Sequence, residues 1–526
     1  MDDVSIDYSW FPFLAVAAAA VLLSLRIRRA LTAADEPGAN ANLPPGPWNL
    51  PVIGGLHHLA AGGAAPPHRA LHRLSRRHGP VMLLRVGEVA TVVVSSPEAA
   101  AEVLRARDPA FASRPVGSPT QDVVGRGGTS LIFAPHGEYW RQLRKVCVHE
   151  LLSATQVRRV ERIRRDEVAR LVQSIIAAAA SPPAAVVDLG QALTELSNNI
   201  VARAAFGGKC RRQEQQEYLR ELGVMAKLAG GFSLPDLFPS SRLVRWLSGA
   251  VRDMTRSRDR VQRIVGGIIR ERREKRRSAS SAVGEGAVAG GGEEDEDLLD
   301  VLQRLQEEDS LPFPLTEEII GTVVSDMFGA ATDTTATTLE WAMAELIRNP
   351  QAMAKAKLEA RHKLGREEGD HDGDLRYIQM VIKETLRLHP AAPLILRSNL
   401  QEDCRVMGYD IPKGSTVMVN ILSLARDPRY WDDAEEFIPE RFESSEKDWT
   451  HLEFVPFGAG RRQCPGALFA TTTIELTLAN LLCHFDWTLP GGADPKKLDM
   501  GEAFGITVRR RSSLCLLPAL RVPPTH

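Results

Sequence analysis

Ten residues near the end of the chain constrain it more than any others: Phe457-Gly458-Ala459-Gly460-Arg461-Arg462-Gln463-Cys464-Pro465-Gly466. A glycine-rich loop here delivers one cysteine to the head of an apolar run, Ala467 to Phe485, which predicts a helix. A Pro-Gly pair follows the cysteine, so Cys464 stands where a helix N-terminus leaves N–H groups unpaired and exposes the positive end of its dipole. Both favour thiolate over thiol, and a thiolate held that way is a nucleophile or a metal ligand. No Cys, His or Asp partner stands at metal-cluster spacing. An arginine two residues before the sulfur and an aromatic seven before it suit a flat macrocycle with an anionic edge.

A lone cysteine after a turn is most often simply a buried cysteine. The surrounding pattern is what sets this one apart. Every fixed position of Phe-x-x-Gly-x-Arg-x-Cys-x-Gly is filled, by Phe457, Gly460, Arg462, Cys464 and Gly466, and the stretch resembles the haem loop of cytochromes P450. Cys464 is then the axial ligand of the haem iron, Arg462 pairs a propionate and Phe457 covers the sulfur from water. Gly458 and Gly460 let backbone approach the ring and aim N–H groups at the sulfur.

The longest helical pattern, Thr316 to Arg348, opens on Thr316 with Glu317 and Glu318 behind it and closes at Asn349-Pro350. At ~1.5 Å per residue it spans about 50 Å, enough to cross the whole body. Its middle, Gly329-Ala330-Ala331-Thr332-Asp333-Thr334-Thr335, is small and hydroxylic with one acid, while apolar runs flank it on both sides. Hydroxyls there can bond backbone carbonyls and open a groove for water. The stretch resembles the acid-alcohol pair of monooxygenating cytochromes P450, which implies Thr334 as the hydroxyl beside bound oxygen and Asp333 as its acid. Ala331 stands where the family usually has Gly, and its methyl narrows the groove.

Glu384, Arg387 and Arg441 resemble the family's structural triad, one carboxylate clamped by two guanidiniums, with a role in fold and haem retention. Trp140 and Arg144 lie one helical turn apart, and the resemblance places both at the propionates together with Arg397. By position in the family, Phe111, Val116, Ile132, Ala330, Leu394, Ile395 and Phe504 line the substrate pocket. Asp108 to His136 reads as a long irregular loop over that pocket. Val81 to Val94 reads as a hairpin turning at Gly87. His68 and His72 share a helix face with no third ligand, which predicts a solvated face. Gly230 to Pro239 interrupts a helical region with exposed aromatics, and Arg270 to Arg277 reads as a solvated helix end.

At the N-terminus, Trp10 to Leu25 is apolar apart from Ser24, with acids before it and Arg26, Arg28 and Arg29 after it. That order predicts a retained anchor over 1–29 with the body on the cytosolic side; a cleaved signal peptide fits less well, because the leading flank is acidic. Residues 30–54 form a linker and a proline-rich hinge, Pro44-Pro45-Gly46-Pro47 at its centre, and 55–526 the catalytic domain. Within it, 278–297 is low-complexity glycine, alanine and acid and reads as a flexible insertion. A net charge of −1 gives no support for a nucleic-acid partner, and six dispersed cysteines without C-x-x-C argue against a disulfide scaffold or a zinc site.

The resemblance runs from the anchor to about Leu520 and is strongest to the plant microsomal A-type (family 71-like) group. It implies a mainly α fold with a small β region around a buried haem b (iron-protoporphyrin IX), preceded by the anchor helix, in the endoplasmic reticulum membrane. It implies a monooxygenase that inserts one atom of O2 into a hydrophobic small molecule, a terpenoid by preference. Electrons come from NADPH through NADPH-cytochrome P450 reductase, with cytochrome b5 as a possible second donor and Lys145 and Arg461 as docking residues. Two other readings stay open: a thiolate-haem isomerase or dehydratase acting on hydroperoxides, disfavoured by the intact Asp333-Thr334 pair, and a non-catalytic haem sensor.

Overall fold

The computed structural model describes residues 41–521 apart from 61–64, 182–184, 208–211, 231, 283–295, 310, 365–374, 400–401, 444–448 and 450. The expected anchor at Trp10–Leu25 lies outside the described residues. Among those described, no helix is long and apolar enough to cross a membrane.

Helices dominate, with a four-stranded mixed sheet on one flank. Strands β1 (Val81–Val86) and β2 (Val89–Val94) form the expected hairpin, turning at Gly87, whose φ of 64° suits a residue without Cβ. Strand β3 (Leu394–Ser398) pairs antiparallel with β4 (Thr416–Asn420), and β4 runs parallel to β2, giving the order β1-β2-β4-β3. This order leaves β3 as the strand beside the cavity described below.

Five helices matter for the site: α1 (Glu138–Val146), α2 (Leu189–Phe206), α3 (Glu317–Arg348), α4 (Arg376–Leu388) and α5 (Ala467–His484). Helix α3 begins and ends within a residue of the sequence reading, because local chemistry sets both ends. The Thr316 side chain accepts from Ile319 N, Glu317 and Glu318 face the positive end of the dipole, and Arg348 sits in the last turn before Asn349-Pro350. Ile319, Ile320, Val323, Val324 and Phe328 pack into one hydrophobic cluster, and Leu339, Ala342, Met343 and Leu346 into another. Of the small and hydroxylic residues between them, Ala331 packs against the first cluster, Thr332 is buried, and Ala330, Ala331, Thr334 and Thr335 reach a cavity.

Several local expectations change once tertiary packing is seen. The 108–136 segment holds short helices at Asp108–Phe111 and Pro119–Val124, begun by Pro residues and, in the second case, by Ser118 as N-cap. His68 is buried and bonds Glu502 at 3.0 Å, while His72 bonds Ser423 at 3.0 Å, so neither belongs to a solvated face. Within the basic run, Arg272 is buried and donates to Asp297 at 2.6 Å. Asp297 itself caps the helix Leu298–Glu307 and so has a structural job at the end of the supposed insertion. Phe238 is buried and Phe232 half-buried, so the 230–239 stretch exposes Leu234 rather than aromatics. The proline-rich stretch is no free spacer: Leu83 N donates to Pro45 O at 2.9 Å, and a Cβ at Gly46 would stand 2.0 Å from Leu83 O.

Candidate active site

A mainly apolar, partly open cavity of about 890 Å³ lies between α3, β3 and the loop that precedes α5. Cys464, Pro465, Gly466, Phe457 and Gly458 form one wall; Ala330, Ala331, Thr334 and Thr335 of α3 form another. Leu394, Ile395 and Arg397 close it from β3, and Phe504, Gly505 and Ile506 from the C-terminal turn.

The cysteine loop is closed on itself by Cys464 N donating to Phe457 O at 2.9 Å and Gly458 N to Val455 O at 2.9 Å. Gly458 and Gly460 take φ of 72° and 70°, conformations that favour glycine. Their reasons differ. Gly458 lines the cavity, but a Cβ on Gly460 would strike Leu104 O at 2.3 Å and Asp108 Oδ1 at 2.5 Å. Gly460 is therefore required by the close approach of the 104–108 segment. Asp108 fixes that approach by accepting from Arg461 N at 2.9 Å and Arg461 Nη1 at 3.1 Å.

The Cys464 side chain exposes surface, yet it sits deep inside the molecule, because what it exposes is cavity wall. Burial pushes its thiol up, while the Gly466 N–H and the Arg144 charge pull the other way. The net rise means the neighbouring dipoles do not ionise the sulfur by themselves. A cation placed on it would.

Four guanidiniums crowd one edge of this cavity: Arg114, Arg144, Arg397 and Arg462. Burial and the charges of Arg114, Arg397 and Arg144 push Arg462 down to about 8; burial and mainly Arg114 push Arg397 to about 9; burial brings Arg114 to about 10. Guanidiniums do not deprotonate in proteins, so these depressions express first the cost of burying positive charge and then the crowding of like charges. Among the described residues none of the four bonds a carboxylate. Arg462 donates to Ala112 O at 2.8 Å and to Leu131 O at 3.2 Å, Arg144 to Gln463 O at 2.7 Å, and Arg397 to Ala459 O at 3.3 Å. The Nε of Arg397 is buried with no partner. A dianionic macrocycle carrying a metal would give the arginines their counter-charge and Cys464 its cation. The residues present fit an iron porphyrin with two propionates.

Trp140 lines the cavity, donates Nε1–H to Leu131 O at 2.9 Å and carries the Arg462 guanidinium 4.1 Å from its ring centre. Its contribution is to hold that arginine in place. Thr334 reaches the cavity and donates its hydroxyl to Ala330 O at 2.7 Å. Asp333 does not line the cavity; it forms an ion pair with Arg509. The acid and the alcohol are adjacent in sequence but face different surroundings. Of the pocket residues expected by position, Ile132, Ala330, Leu394, Ile395 and Phe504 line the cavity. Phe111 and Val116 do not: Phe111 is fully buried in the cluster beneath the sheet, and Val116 is 63% exposed.

The triad is assembled away from the cavity. Arg387 donates twice to Glu384, at 2.7 and 2.8 Å, and Arg441 once at 3.0 Å, with Glu384 and Arg387 fully buried. Sequence reasoning passed over Arg114, Thr335 and Asp326. Asp326 accepts from Ser130 Oγ at 2.9 Å and Leu131 N at 2.7 Å and so pins to α3 the loop whose carbonyls cradle Arg462. The available signal for Arg114 was an isolated charge in an apolar loop.

Comparison with known proteins agrees with this geometry. The family model described as Cytochrome P450 matches residues 44–515. Zealexin A1 synthase of Zea mays is 43% identical over 518 residues, 97% of this chain and 98% of that protein. Ent-cassadiene hydroxylase of Oryza sativa subsp. japonica is 45% identical, covering 92% of this chain and 93% of the relative. Premnaspirodiene oxygenase of Hyoscyamus muticus is 42% identical over 90% of this chain and 92% of its own.

Proposed function

The chain belongs to the cytochrome P450 family and is a monooxygenase of specialised metabolism; we propose that it places one oxygen atom from O2 on a hydrophobic terpenoid-type substrate. The carrying observation is the meeting of the Cys464 sulfur, a buried arginine cluster and a hydroxyl-bearing turn of α3 around one mainly apolar cavity. The names of the three relatives favour a terpenoid. The charge order around Trp10–Leu25 supports an endoplasmic reticulum anchor with the body facing the cytosol. NADPH-cytochrome P450 reductase, with cytochrome b5 as auxiliary, would supply electrons, and exposed Lys145 and Arg461 on the cysteine side suit an acidic partner.

Haem b, when bound, supplies the activation of dioxygen and the one-atom insertion. Cys464 would hold the iron, with the Gly466 N–H bonding the sulfur. Arg114, Arg144, Arg397 and Arg462 would hold the propionates. Leu394, Ile395, Ala330 and Phe504 press an apolar substrate into place and keep bulk water out. Thr334 Oγ1 holds a proton that its bond to Ala330 O now occupies; rotation about the Cα–Cβ bond turns that hydroxyl into the cavity. Asp333 would take protons from the solvent side, since its partner Arg509 is itself 45% exposed.

Two variants separate these roles. Thr334→Ala is expected to keep consuming NADPH while diverting it to hydrogen peroxide; full coupling of NADPH to product would contradict the assignment. Asp333→Asn is expected to slow product formation about 100-fold. An unchanged rate would show that protons travel another way. The function itself is tested in microsomes containing the protein and the reductase, offered cyclic sesquiterpene and diterpene olefins under isotopically labelled dioxygen. One labelled oxygen per product is expected. Turnover of a fatty-acid hydroperoxide without reductase, and no olefin oxidation, would overturn it in favour of a rearranging enzyme.

A further inference from the structure

The cavity's C-terminal wall hangs from a very small hairpin. Its strands, Glu502–Ala503 and Arg509–Arg510, share only the pairs Arg509↔Ala503 and Arg510↔Glu502, and its tip carries Phe504, Gly505 and Ile506 to the cavity. Two register pairs cannot fix such a tip, because even longer isolated hairpins are marginal in water. The second side of the hairpin is tied down at Val508, whose N donates to Ala391 O at 2.9 Å and whose O accepts from Trp341 Nε1 at 3.3 Å; the first side relies on a side chain.

On the first strand the anchor is Glu502. Its carboxylate is 5% exposed and takes a two-pronged grip from Arg69, Nε to Oε2 and Nη2 to Oε1, both at 2.7 Å, with His68 Nε2 at 3.0 Å on Oε2. Burial opposes its charge, yet the bonds from His68 and Arg69 hold the carboxyl well below the usual range. His68 does a second thing. Its ring stacks on Phe504 with centroids 6.0 Å apart, while Phe232, another wall residue, meets the same ring edge-on at 5.4 Å. His68 is in turn tied to the end of β4, since Asn420 Nδ2 donates to His68 O at 2.9 Å. A continuous path of contacts therefore runs from the sheet through His68 and Glu502 to the ring of Phe504.

We propose that Glu502 is a specificity-determining positioning residue: by bonding His68 and Arg69 it sets how far the Phe504 ring intrudes and thus how large a ligand the cavity accepts. This rests on the reading of the cavity as a haem-linked substrate site. Glu502 touches no ligand itself, and its effect passes through Phe504.

The test uses the full-length haem-loaded protein and iron-coordinating probes of increasing bulk, imidazole, 4-phenylimidazole and a triarylmethyl imidazole, with binding read from the shift of the haem absorption band. Glu502→Gln keeps the side-chain volume but removes the charge that holds both bases. It is expected to change the ratio of bulky-to-small probe affinities by about tenfold. In a Phe504→Ala background the same substitution is expected to leave the ratio unmoved. Asp410→Asn, which loosens the exposed contact with Arg405 away from the hairpin, is expected to leave it unmoved as well. A purely structural role would lower stability without changing the ratio. If the unaltered protein binds the probes and both Glu502→Gln and Glu502→Ala keep its ratio, the proposal is overturned alone. If the unaltered protein gives no spectral response to any probe, the haem reading falls and this one with it.

Discussion

Cys464→Ala is expected to leave a folded protein that has lost monooxygenase activity to below detection. The cysteine loop does not depend on the sulfur for its shape. Its closure comes from Cys464 N to Phe457 O, Gly458 N to Val455 O, and Asp108 gripping Arg461, and all of these are backbone or neighbouring contacts that survive the substitution. What disappears is the one thiol among the described residues lining the cavity. Among the described residues there is no cluster of His, Cys, Asp or Glu that could replace it as a metal ligand. Cys464→Ser should behave alike, since an alcohol in this buried place is a poorer anion than a thiol. Circular dichroism should match the unaltered protein while iron content and product formation collapse. Retained turnover in either variant would mean that the reaction is organised elsewhere.

Glu384→Ala is expected to destabilise the fold by about 3–5 kcal/mol, a large share of the ~5–15 kcal/mol that holds a typical domain together. The substitution strands Arg387, which is fully buried and would keep only carbonyl partners at Ala425, Ala434 and Glu436. Arg441 loses its anion at the same time, and Ile438 N loses the acceptor it now bonds at 2.9 Å. The damage reaches the cavity through aromatic packing. Phe442 follows Arg441 and lies 5.0 Å from Phe454, Phe454 lies 5.4 Å from Trp449, and Trp449 meets Phe457 at 5.1 Å. Faster haem loss should therefore accompany the lower denaturation midpoint. Glu384→Gln, which keeps the shape and one acceptor, should fall between the two. A midpoint within about 1 kcal/mol of the unaltered protein for Glu384→Ala would refute the role given to the triad.

How legible the sequence was depended on how local the governing chemistry is. Helix α3 could be bounded almost to the residue because Thr316, the two acids and Asn349-Pro350 act within a turn of its ends. The β1–β2 hairpin and the cysteine loop were readable for the same reason, each being organised by glycines and contacts a few residues apart. The triad was read correctly as a set, although its third member lies far along the chain, because the resemblance supplied the pairing. Where tertiary contact alone decides, the reading failed or was silent. Asp333 was named as the acid of Thr334 from adjacency alone, which could not announce that Arg509 of the C-terminal hairpin pairs with it, because successive helix residues point about 100° apart. Phe111 and Val116 were placed in the pocket by position in a loop. The short helices that form there turn one into the core and the other to solvent. Gly460 also has to make room for Leu104 O and Asp108, neighbours no local pattern announces.

The most direct test of the central claim, that Cys464 holds a haem iron in the cavity beneath α3, is the carbon monoxide difference spectrum of the reduced full-length protein, expressed with ample porphyrin supply. The account predicts the red-shifted band of thiolate ligation, present in the unaltered protein and absent in Cys464→Ala. A colourless protein, or a carbonyl band at the position typical of histidine ligation, would contradict it.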